Sequence, residues 1–277
     1  MSDEEAARTT GIAQPPNPLK RHRPLLFAHR GSSVLLPENT FPAFEFGLDC
    51  EADVLEIDVR ISRDNDVMVF HDARVDRTTD GLGQVRDHRV LALKRLDAGY
   101  RFSDERGAYF RGQSIRIPRL AELFDAYPDV VINIDIKDNW LPAARLLLEV
   151  IEKSDAVERT VVASFHGKVL QYFRQIAPHI PTSATFNEVL GLYLARRGRT
   201  PLKRQHPIAL QIPPRHGRIA LDKPGFIEKI HERGRLVNYW TINDPQHMRK
   251  LLNAGADGIV TDRPDLALAV FQELGFK

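Results

Sequence analysis

Residues 56–72 read EIDVRISRDNDVMVFHD, and the number of strands in the fold depends on this stretch. Two apolar runs flank the polar turn 63–66, which predicts that 67–71 pairs back on 53–60 as a β-hairpin. Short apolar runs of this kind read as buried strands because each soon ends in polar or turn residues. The strand candidates lie at 25–29, 53–60, 67–71, 130–136, 159–165, 182–186, 208–212, 236–242 and 258–261. The hairpin leaves eight parallel strands and one added strand.

Amphipathic segments with the apolar spacing of helices lie between many of these strands. Alternating strands and helices favour a parallel sheet, and this many units favour an α/β fold of the (β/α)8 TIM barrel type. A chain of 277 residues suits one such barrel, which typically needs about 250 residues. We expect a mobile leader over 1–22 and one barrel domain over 23–277. Residues 73–117 are too long for an ordinary loop and predict an insertion or lid.

The composition excludes several classes of protein. The chain has 39 basic and 37 acidic residues, a net charge of +2, which argues against a dedicated nucleic-acid surface. Cys50 is the single cysteine, so neither an intramolecular disulfide nor a cysteine-rich metal site can form. The sequence has no signal-like start and no run of 18 apolar residues, so we expect no transmembrane segment and a soluble, cytoplasmic protein.

Acidic side chains occur near the ends of two predicted strands. Glu56 and Asp58 are two residues apart, so they share one face of a strand, as do Asp135 and Lys137 in NIDIK. In a barrel of this type the chemistry lies at the carboxyl ends of the strands. Converging buried carboxylates require a cation, and oxygen ligands favour Mg²⁺ or Ca²⁺. The alternative, in which each acid forms a structural salt bridge with Lys or Arg, stays open.

Two histidines follow apolar strands in the same way. His29 and His71 would supply a general base and a general acid, although either could instead bind a backbone carbonyl. Arg30 and Lys137 would neutralise an anionic group, and the guanidinium fork of arginine suits phosphate. Trp240, in NYWTIN, would form an apolar wall of the pocket or pack in the core.

A set of motifs resembles the glycerophosphodiester phosphodiesterases, which are TIM barrels similar to the phosphoinositide phospholipases. The matching segments, in order, are AHRG, PENT, LEIDV, VFHD, LDAG, IPRLAELF, INIDIK, YWTIN and GADGIVTDRP. The resemblance covers about residues 24 to 272. It implies a small insertion after the second catalytic histidine and metal-dependent hydrolysis of glycerophosphodiesters to glycerol 3-phosphate and an alcohol.

The resemblance also implies a role for each matching residue. The implied sets are catalytic His29 and His71; metal ligands Glu56, Asp58 and Asp135; and phosphate contacts Arg30 and Lys137, supported by Glu38 and Asn39. Trp240 joins the substrate contacts through its predicted place in the pocket wall. One position departs from the family, which usually has Glu where this chain has Asp135. The shorter side chain reaches about 1.5 Å less, so the ion could shift, gain a water ligand or differ in identity. Octahedral Mg²⁺ tolerates this less well than Ca²⁺.

The sequence leaves several alternatives open. One is lysophospholipase D activity, which releases lysophosphatidate. Aromatic residues of the insertion would then cover an acyl chain, or they are ordinary packing of the lid: Tyr100, Phe102, Tyr109 and Phe110. Another is attack by the glycerol 2-hydroxyl instead of water, which would give a cyclic phosphate. A third is a barrel that binds phosphodiesters or metal without catalysis. The sequence decides neither the oligomeric state nor which histidine is the acid.

Overall fold

The computed structural model describes residues 17–105, 107–195 and 207–277. Its strands are β1 (Leu25–His29), β2 (Val54–Ile61), β3 (Val67–Val69), β4 (Val131–Ile136), β5 (Thr160–Ala163), β6 (Ala209–Ile212), β7 (Arg215–His216), β8 (Ile219–Ala220), β9 (Leu236–Tyr239) and β10 (Gly258–Thr261). Its helices are α1 (Phe41–Asp49), α2 (Val90–Leu93), α3 (Leu120–Ala126), α4 (Leu141–Lys153), α5 (Gly167–Ile176), α6 (Phe186–Leu194), α7 (Pro224–His231), α8 (Pro245–Asn253) and α9 (Pro264–Glu273). Throughout these ranges, every helix is too short or too polar to span a bilayer.

Seven parallel strands form a curved sheet in the order β5-β4-β2-β1-β10-β9-β6. Residues 182–184 close this sheet into a ring, because Thr182 pairs with Val162 of β5 and Ser183 pairs with Ala209 of β6. The Ser183 N–H donates to the Val162 carbonyl at 3.0 Å, and the Ala184 N–H donates to the Ala209 carbonyl at 2.9 Å. The predicted (β/α)8 barrel is therefore confirmed, although its fifth position is a pair of isolated bridges where the sequence predicted a strand over 182–186.

The hairpin predicted from residues 56–72 is present. Strand β3 pairs antiparallel with β2, with Val59 opposite Val69 and Ile61 opposite Val67. Asn65 sits in the connecting turn with φ of +64°, a left-handed conformation that asparagine adopts more readily than most residues. The strand ends at Val69, so it is shorter than the predicted 67–71, and His71 follows it in irregular backbone.

The segment 73–117 lies between β3 and α3 and has a small apolar core of its own. That core also includes side chains from the hairpin, and its buried members are Met68, Phe70, Val75, Val85, Leu93, Ala98, Ile115 and Ile117. The segment contains one turn of 3₁₀ helix at Val85–Asp87 and the short helix α2. Because it packs against the hairpin, its position beside His71 is fixed by buried apolar contacts.

The inside of the barrel is apolar at one end and polar at the other. Leu25 and Phe27 of β1 are buried in one cluster with Val54 and Val131, at the amino ends of β2 and β4. Side chains two residues apart share a face, so His29 follows Leu25 and Phe27 into the barrel interior. Along β1, the side chains that face the barrel interior therefore change from apolar at the amino end to polar at the carboxyl end.

The amino-terminal boundary of the barrel differs from the prediction. Leu19 is 2% exposed and packs in the cluster that contains Leu25 and Phe27. The predicted mobile leader over 1–22 therefore extends too far, because Leu19 contributes apolar surface to the floor of the barrel. Residues 1–16 lie outside the described part of the chain.

Candidate active site

The first histidine is held between two carboxylates. At the end of β1, His29 Nδ1 lies 2.6 Å from Asp262 Oδ1, and its Nε2 lies 3.7 Å from Glu56 Oε2. Asp262 also accepts hydrogen bonds from Ser33 Oγ and, at 2.8 Å, from Asn243 Nδ2. Burial opposes ionisation of Asp262, but these hydrogen bonds outweigh it and hold its pKa at about 2. An ionised Asp262 therefore fixes the orientation of the His29 ring.

The second histidine begins a chain of ion pairs. His71 Nδ1 lies 2.6 Å from Asp72 Oδ1, and the other oxygen of Asp72 accepts from Arg77 Nε. Arg77 binds Glu38 through two hydrogen bonds of 2.7 and 2.8 Å, and Glu38 in turn accepts from Arg30 at 3.0 Å. These contacts connect the insertion, through the PENT loop, to the end of β1.

The two imidazoles occupy opposite electrostatic environments. Burial lowers the pKa of His29, but the charges of Glu56 and Asp262 outweigh burial, and the net shift is upward. Burial also lowers the pKa of His71, and there Arg30 and Lys137 add to burial, so the net shift is downward. The pKa values of the two histidines are therefore shifted in opposite directions, although the two side chains have the same intrinsic pKa.

The backbone after β1 takes a conformation that aims Arg30 into the site. Arg30 has φ of +52° and Gly31 has φ of +88°, both left-handed. A Cβ on Gly31 would lie 2.5 Å from the carbonyl carbon of Ala43, so only glycine lets this turn pack against α1. Arg30 Nε then lies 3.0 Å from Asp58 Oδ2.

Three carboxylates and two cations meet at the carboxyl ends of β2 and β4. The strand register places Asp58 directly beside Asp135. Lys137 Nζ lies 2.9 Å from Asp58 Oδ1 and 2.6 Å from Asp135 Oδ2. Asn39, in the left-handed conformation with φ of +58°, donates from Nδ2 to Asp58 Oδ2 at 2.9 Å. The acids therefore converge on one place, as a cation site would require, and two of them also form the salt bridges that were the alternative prediction.

The three carboxylates of this cluster outnumber its two cations when all three are ionised. Burial and the nearby charge of Asp58 raise the pKa of Glu56 to about 7. Burial also raises the pKa of Asp135, and the attraction of Lys137 only partly offsets it. Burial opposes ionisation of Asp58 as well, but Lys137 and Arg30 outweigh it and lower its pKa. A further cation near Glu56 and Asp135 would relieve this imbalance.

The donor atoms fit a hard divalent ion in their chemistry. Glu56, Asp58 and Asp135 offer only oxygen, which Mg²⁺ and Ca²⁺ prefer, and Asp135 Oδ1 is buried without a hydrogen-bond partner. The cage is not preformed, however. Within the described residues no three His, Cys, Asp or Glu side chains are arranged to hold an ion, and Lys137 Nζ contacts two of the carboxylates.

A cavity of about 570 Å³ opens above these groups, within the range of small-molecule sites. One side is polar and is lined by His29, Arg30, Glu56, His71, Asp135 and Lys137. The other side is an apolar wall, lined by residues that include Phe165, Phe186, Val189, Leu190, Tyr193 and Trp240. Trp240 packs edge to face on Phe165, with ring centroids 5.6 Å apart. The structure thus places Trp240 in the cavity wall and leaves both histidines facing one space.

The aromatic residues of the insertion lie elsewhere. None of the described residues of 73–117 lines the cavity. Phe102 and Phe110 pack on each other at 5.4 Å, Arg111 stacks over Tyr100 at 4.1 Å, and Tyr109 is 70% exposed. The predicted acyl-chain cover by these residues is therefore wrong, because they satisfy one another or face away from the site.

Comparison with known proteins identifies the family of the chain. Residues 29–266 match the model of the glycerophosphoryl diester phosphodiesterase family. The chain belongs to this family. A glycerophosphodiester phosphodiesterase of Caldanaerobacter subterraneus subsp. tengcongensis is 31% identical over 256 residues, covering 91% of this chain and 99% of that protein.

Solved structures give the same result. The crystal structure of a glycerophosphodiester phosphodiesterase from Agrobacterium tumefaciens superposes with a TM-score of 0.72 and 28% identity, over 89% of this chain and 99% of that one. A phosphodiesterase from Oleispira antarctica, solved with the product sn-glycerol 3-phosphate, superposes with a TM-score of 0.72 and 25% identity, over 90% and 97%. The fold resemblance thus extends over nearly the whole barrel.

Sequence reasoning gave no role to three residues that hold this family member's site together. Asp262 orients His29, Asp72 orients His71, and Arg77 links Asp72 to Glu38. A usable signal existed, because Asp72 and Asp262 each directly follow the carboxyl end of a predicted strand, where the chemistry of a barrel lies. The position of Asp262 after a strand does not, however, show that its side chain contacts His29.

We expect Asp262→Asn to lower kcat by about 100-fold or more, because an uncharged amide no longer holds the His29 ring in one tautomer. KM should change little, since Asp262 does not line the cavity. Steady-state kinetics on a glycerophosphodiester measure both constants. The matched control is Asp257→Asn, which alters an Asp–His pair at the amino end of β10, where Asp257 lies 2.7 Å from His231. Equal losses in both variants would show a merely structural role.

Proposed function

We propose that this chain hydrolyses glycerophosphodiesters to glycerol 3-phosphate and an alcohol. The observation that carries the proposal is that two histidines, each bound through Nδ1 to its own carboxylate, line one cavity with Arg30 and Lys137. Acid–base catalysis across a phosphodiester bond needs two titratable groups that face the same ligand. Membership of the phosphodiesterase family supports the same reaction.

In this mechanism each histidine acts through its Nε2 atom. Because Nδ1 is engaged by Asp262 in His29 and by Asp72 in His71, only Nε2 can exchange a proton with a ligand. One imidazole takes the proton of the attacking oxygen, and the other protonates the departing alkoxide. The attacking oxygen belongs to water, which gives glycerol 3-phosphate directly, or to the glycerol 2-hydroxyl. In the second case the alcohol leaves as a cyclic phosphate forms, and a water must then open that ring to give the glycerol phosphate.

The charged side chains bind and orient the phosphate. Arg30 and Lys137 carry positive charge into the wall of the cavity, where it is shielded from water and so acts strongly on non-bridging oxygens. We propose that Glu56, Asp58 and Asp135 hold a divalent ion, Mg²⁺ or Ca²⁺, which when bound stabilises further negative charge on the phosphoryl group. Glu38 keeps Arg30 in place, and Asn39 does the same for Asp58.

A second candidate function is lysophospholipase D activity on substrates that carry an acyl chain. The apolar wall of the cavity favours it, because Phe186, Val189 and Leu190 offer no hydrogen-bond partner to a small polar alcohol. An apolar chain would gain by leaving water for this surface. The product would then be lysophosphatidate.

The deciding assay is choline release from glycerophosphocholine and from lysophosphatidylcholine, measured side by side. We expect release from the soluble diester, and a higher kcat/KM for the lysolipid would extend the function to lysophospholipase D. Activity on the lysolipid alone would replace the first candidate by the second. Silence on both, with retained binding of glycerophosphocholine, would contradict catalysis and support a binding barrel.

A further inference from the structure

Large apolar side chains are exposed mainly at one place, the mouth of the cavity. In the described ranges nine large apolar residues are exposed, and five of them form what we call the mouth face: Phe165, Phe186, Leu190, Tyr193 and Leu194. Phe165 is 69% exposed, Phe186 57% and Leu194 70%. A cluster of this kind on a soluble protein indicates an interaction surface.

Most of the mouth face belongs to α6, which buries little of its own surface. Only Leu192 of this nine-residue helix is buried. Phe186, Leu190 and Leu194 follow at intervals of four, the spacing of one helix face, which in most helices packs inward. Here that face is open to the cavity and to solvent.

The orientation of α6 is fixed at its first turn. Thr185 and Glu188 form a capping box, and Arg174 binds both oxygens of Glu188 at 2.7 and 3.1 Å. The helix is therefore anchored to α5 with its apolar side outward. Phe186 and Leu190 also line the cavity, so the mouth face and the substrate site are one continuous surface.

The stretch of sequence from Val189 to Leu221 is basic. Residues 189–221 contain no Asp or Glu, although the whole chain has a net charge of only +2. The same stretch contains seven basic residues: Arg196, Arg197, Arg199, Lys203, Arg204, Arg215 and Arg218. The first five lie outside the described residues and form no part of the surface argued here. Arg215 and Arg218 are exposed on the β7–β8 hairpin, whose His216 ring lies 5.2 Å from Phe186.

We propose that the mouth face docks on an anionic lipid surface. Its apolar side chains would enter the boundary between headgroups and acyl chains, while Arg215 and Arg218 face lipid phosphates. Continuity with the cavity favours a lipid layer over a protein partner, because a lipid bearing a phosphodiester could pass from the layer into the site without crossing water. The docking itself requires no turnover, so it stands apart from the proposed reaction.

Flotation of the full chain with vesicles tests the proposal. We expect binding to vesicles of phosphatidylcholine with phosphatidylglycerol, weaker binding without phosphatidylglycerol, and loss of binding as salt is added. Leu194→Glu and the pair Arg215→Glu with Arg218→Glu should each weaken vesicle partitioning about tenfold or more. None of these three residues lines the cavity, so turnover of glycerophosphocholine in solution should stay unchanged.

Matched controls lie on the insertion, away from the cavity. Leu91→Glu alters a leucine that is 72% exposed, and Arg89→Glu with Arg95→Glu makes the same change of charge. Both controls should bind vesicles as the unaltered chain does. Absence of vesicle binding, or equal loss in the controls, overturns the proposal. So does a dimer that Leu194→Glu dissociates, since the mouth face would then bind a second copy. Vesicle binding by a chain that is inactive on glycerophosphocholine would refute the proposed function alone.

Discussion

Replacing His29 or His71 with alanine should lower the turnover of a glycerophosphodiester by about 10²- to 10⁴-fold, the usual contribution of a general acid or base. Each ring is held by a carboxylate on Nδ1 and faces the cavity, so its loss removes the proton transfer while the apolar floor of the barrel stays packed. Measurement of kcat on glycerophosphocholine, with circular dichroism to confirm folding, gives the result.

A substrate with an acidic leaving group separates the two roles. A glycerol phosphodiester of nitrophenol needs no protonation of its leaving group, so the variant that lacks the general acid should recover most of its activity. The variant that lacks the general base should stay inactive on both substrates. This assay assigns acid and base directly, where the sequence treated the histidines as a pair.

The matched control is His179→Ala, because His179 is half-exposed and lies 3.9 Å from Glu152, away from the cavity. It should retain full turnover. If His29→Ala or His71→Ala also retained turnover near that of the unaltered protein, the proposed catalytic assignment for that residue would be wrong.

Removal of divalent ions should abolish turnover, and Mg²⁺ or Ca²⁺ should restore it. The physical reason is the cost of burying three carboxylates together. Burial, with the nearby charge of Asp58, raises the pKa of Glu56 to about 7, and one buried oxygen of Asp135 has no hydrogen-bond partner. Activity in EDTA, followed by titration with each ion, measures this dependence. Undiminished turnover in EDTA would contradict a catalytic ion.

Thermal unfolding gives a readout of ion binding that does not depend on activity. A ligand that binds only the folded state at a hundredfold excess over its Kd stabilises by about 2.7 kcal/mol. In a domain of this size, each kcal/mol raises Tm by about 2–4 °C. Glu56→Gln and Asp135→Asn should lose this ion-induced shift, whereas the exposed control Glu158→Gln should keep it.

The barrel and its hairpin could be predicted from the sequence because both are encoded locally. Short apolar strands alternate with helices, and the polar turn 63–66 separates two strands that pair with each other. The fifth barrel position was harder to predict, because the capping box of Thr185 and Glu188 starts α6 inside the predicted strand 182–186. At these residues the capping signal for a helix therefore decided the structure, and the predicted strand is limited to two bridges.

The same distinction applies to the site. Same-face spacing on β2 and β4 predicted that Asp58 and Asp135 converge, and the register places them side by side. The partner of His29 could not be predicted this way, because Asp262 lies 233 residues away and only the order of strands in the ring brings them together. The prediction that the aromatic residues of the insertion cover an acyl chain was wrong for a related reason. The sequence does not show toward which side of the barrel a long segment packs.

The contact between His29 and Asp262 has a consequence for the synthesis of the protein. Strand β1 is the first barrel strand to leave the ribosome and β10 is the last, yet the two are neighbours in the ring. A nascent chain therefore contains both histidines and all three candidate ion ligands long before Asp262 can orient its partner. Under the proposed mechanism, we expect activity only after the final strand has closed the ring, so a chain that terminates before β10 should be inactive.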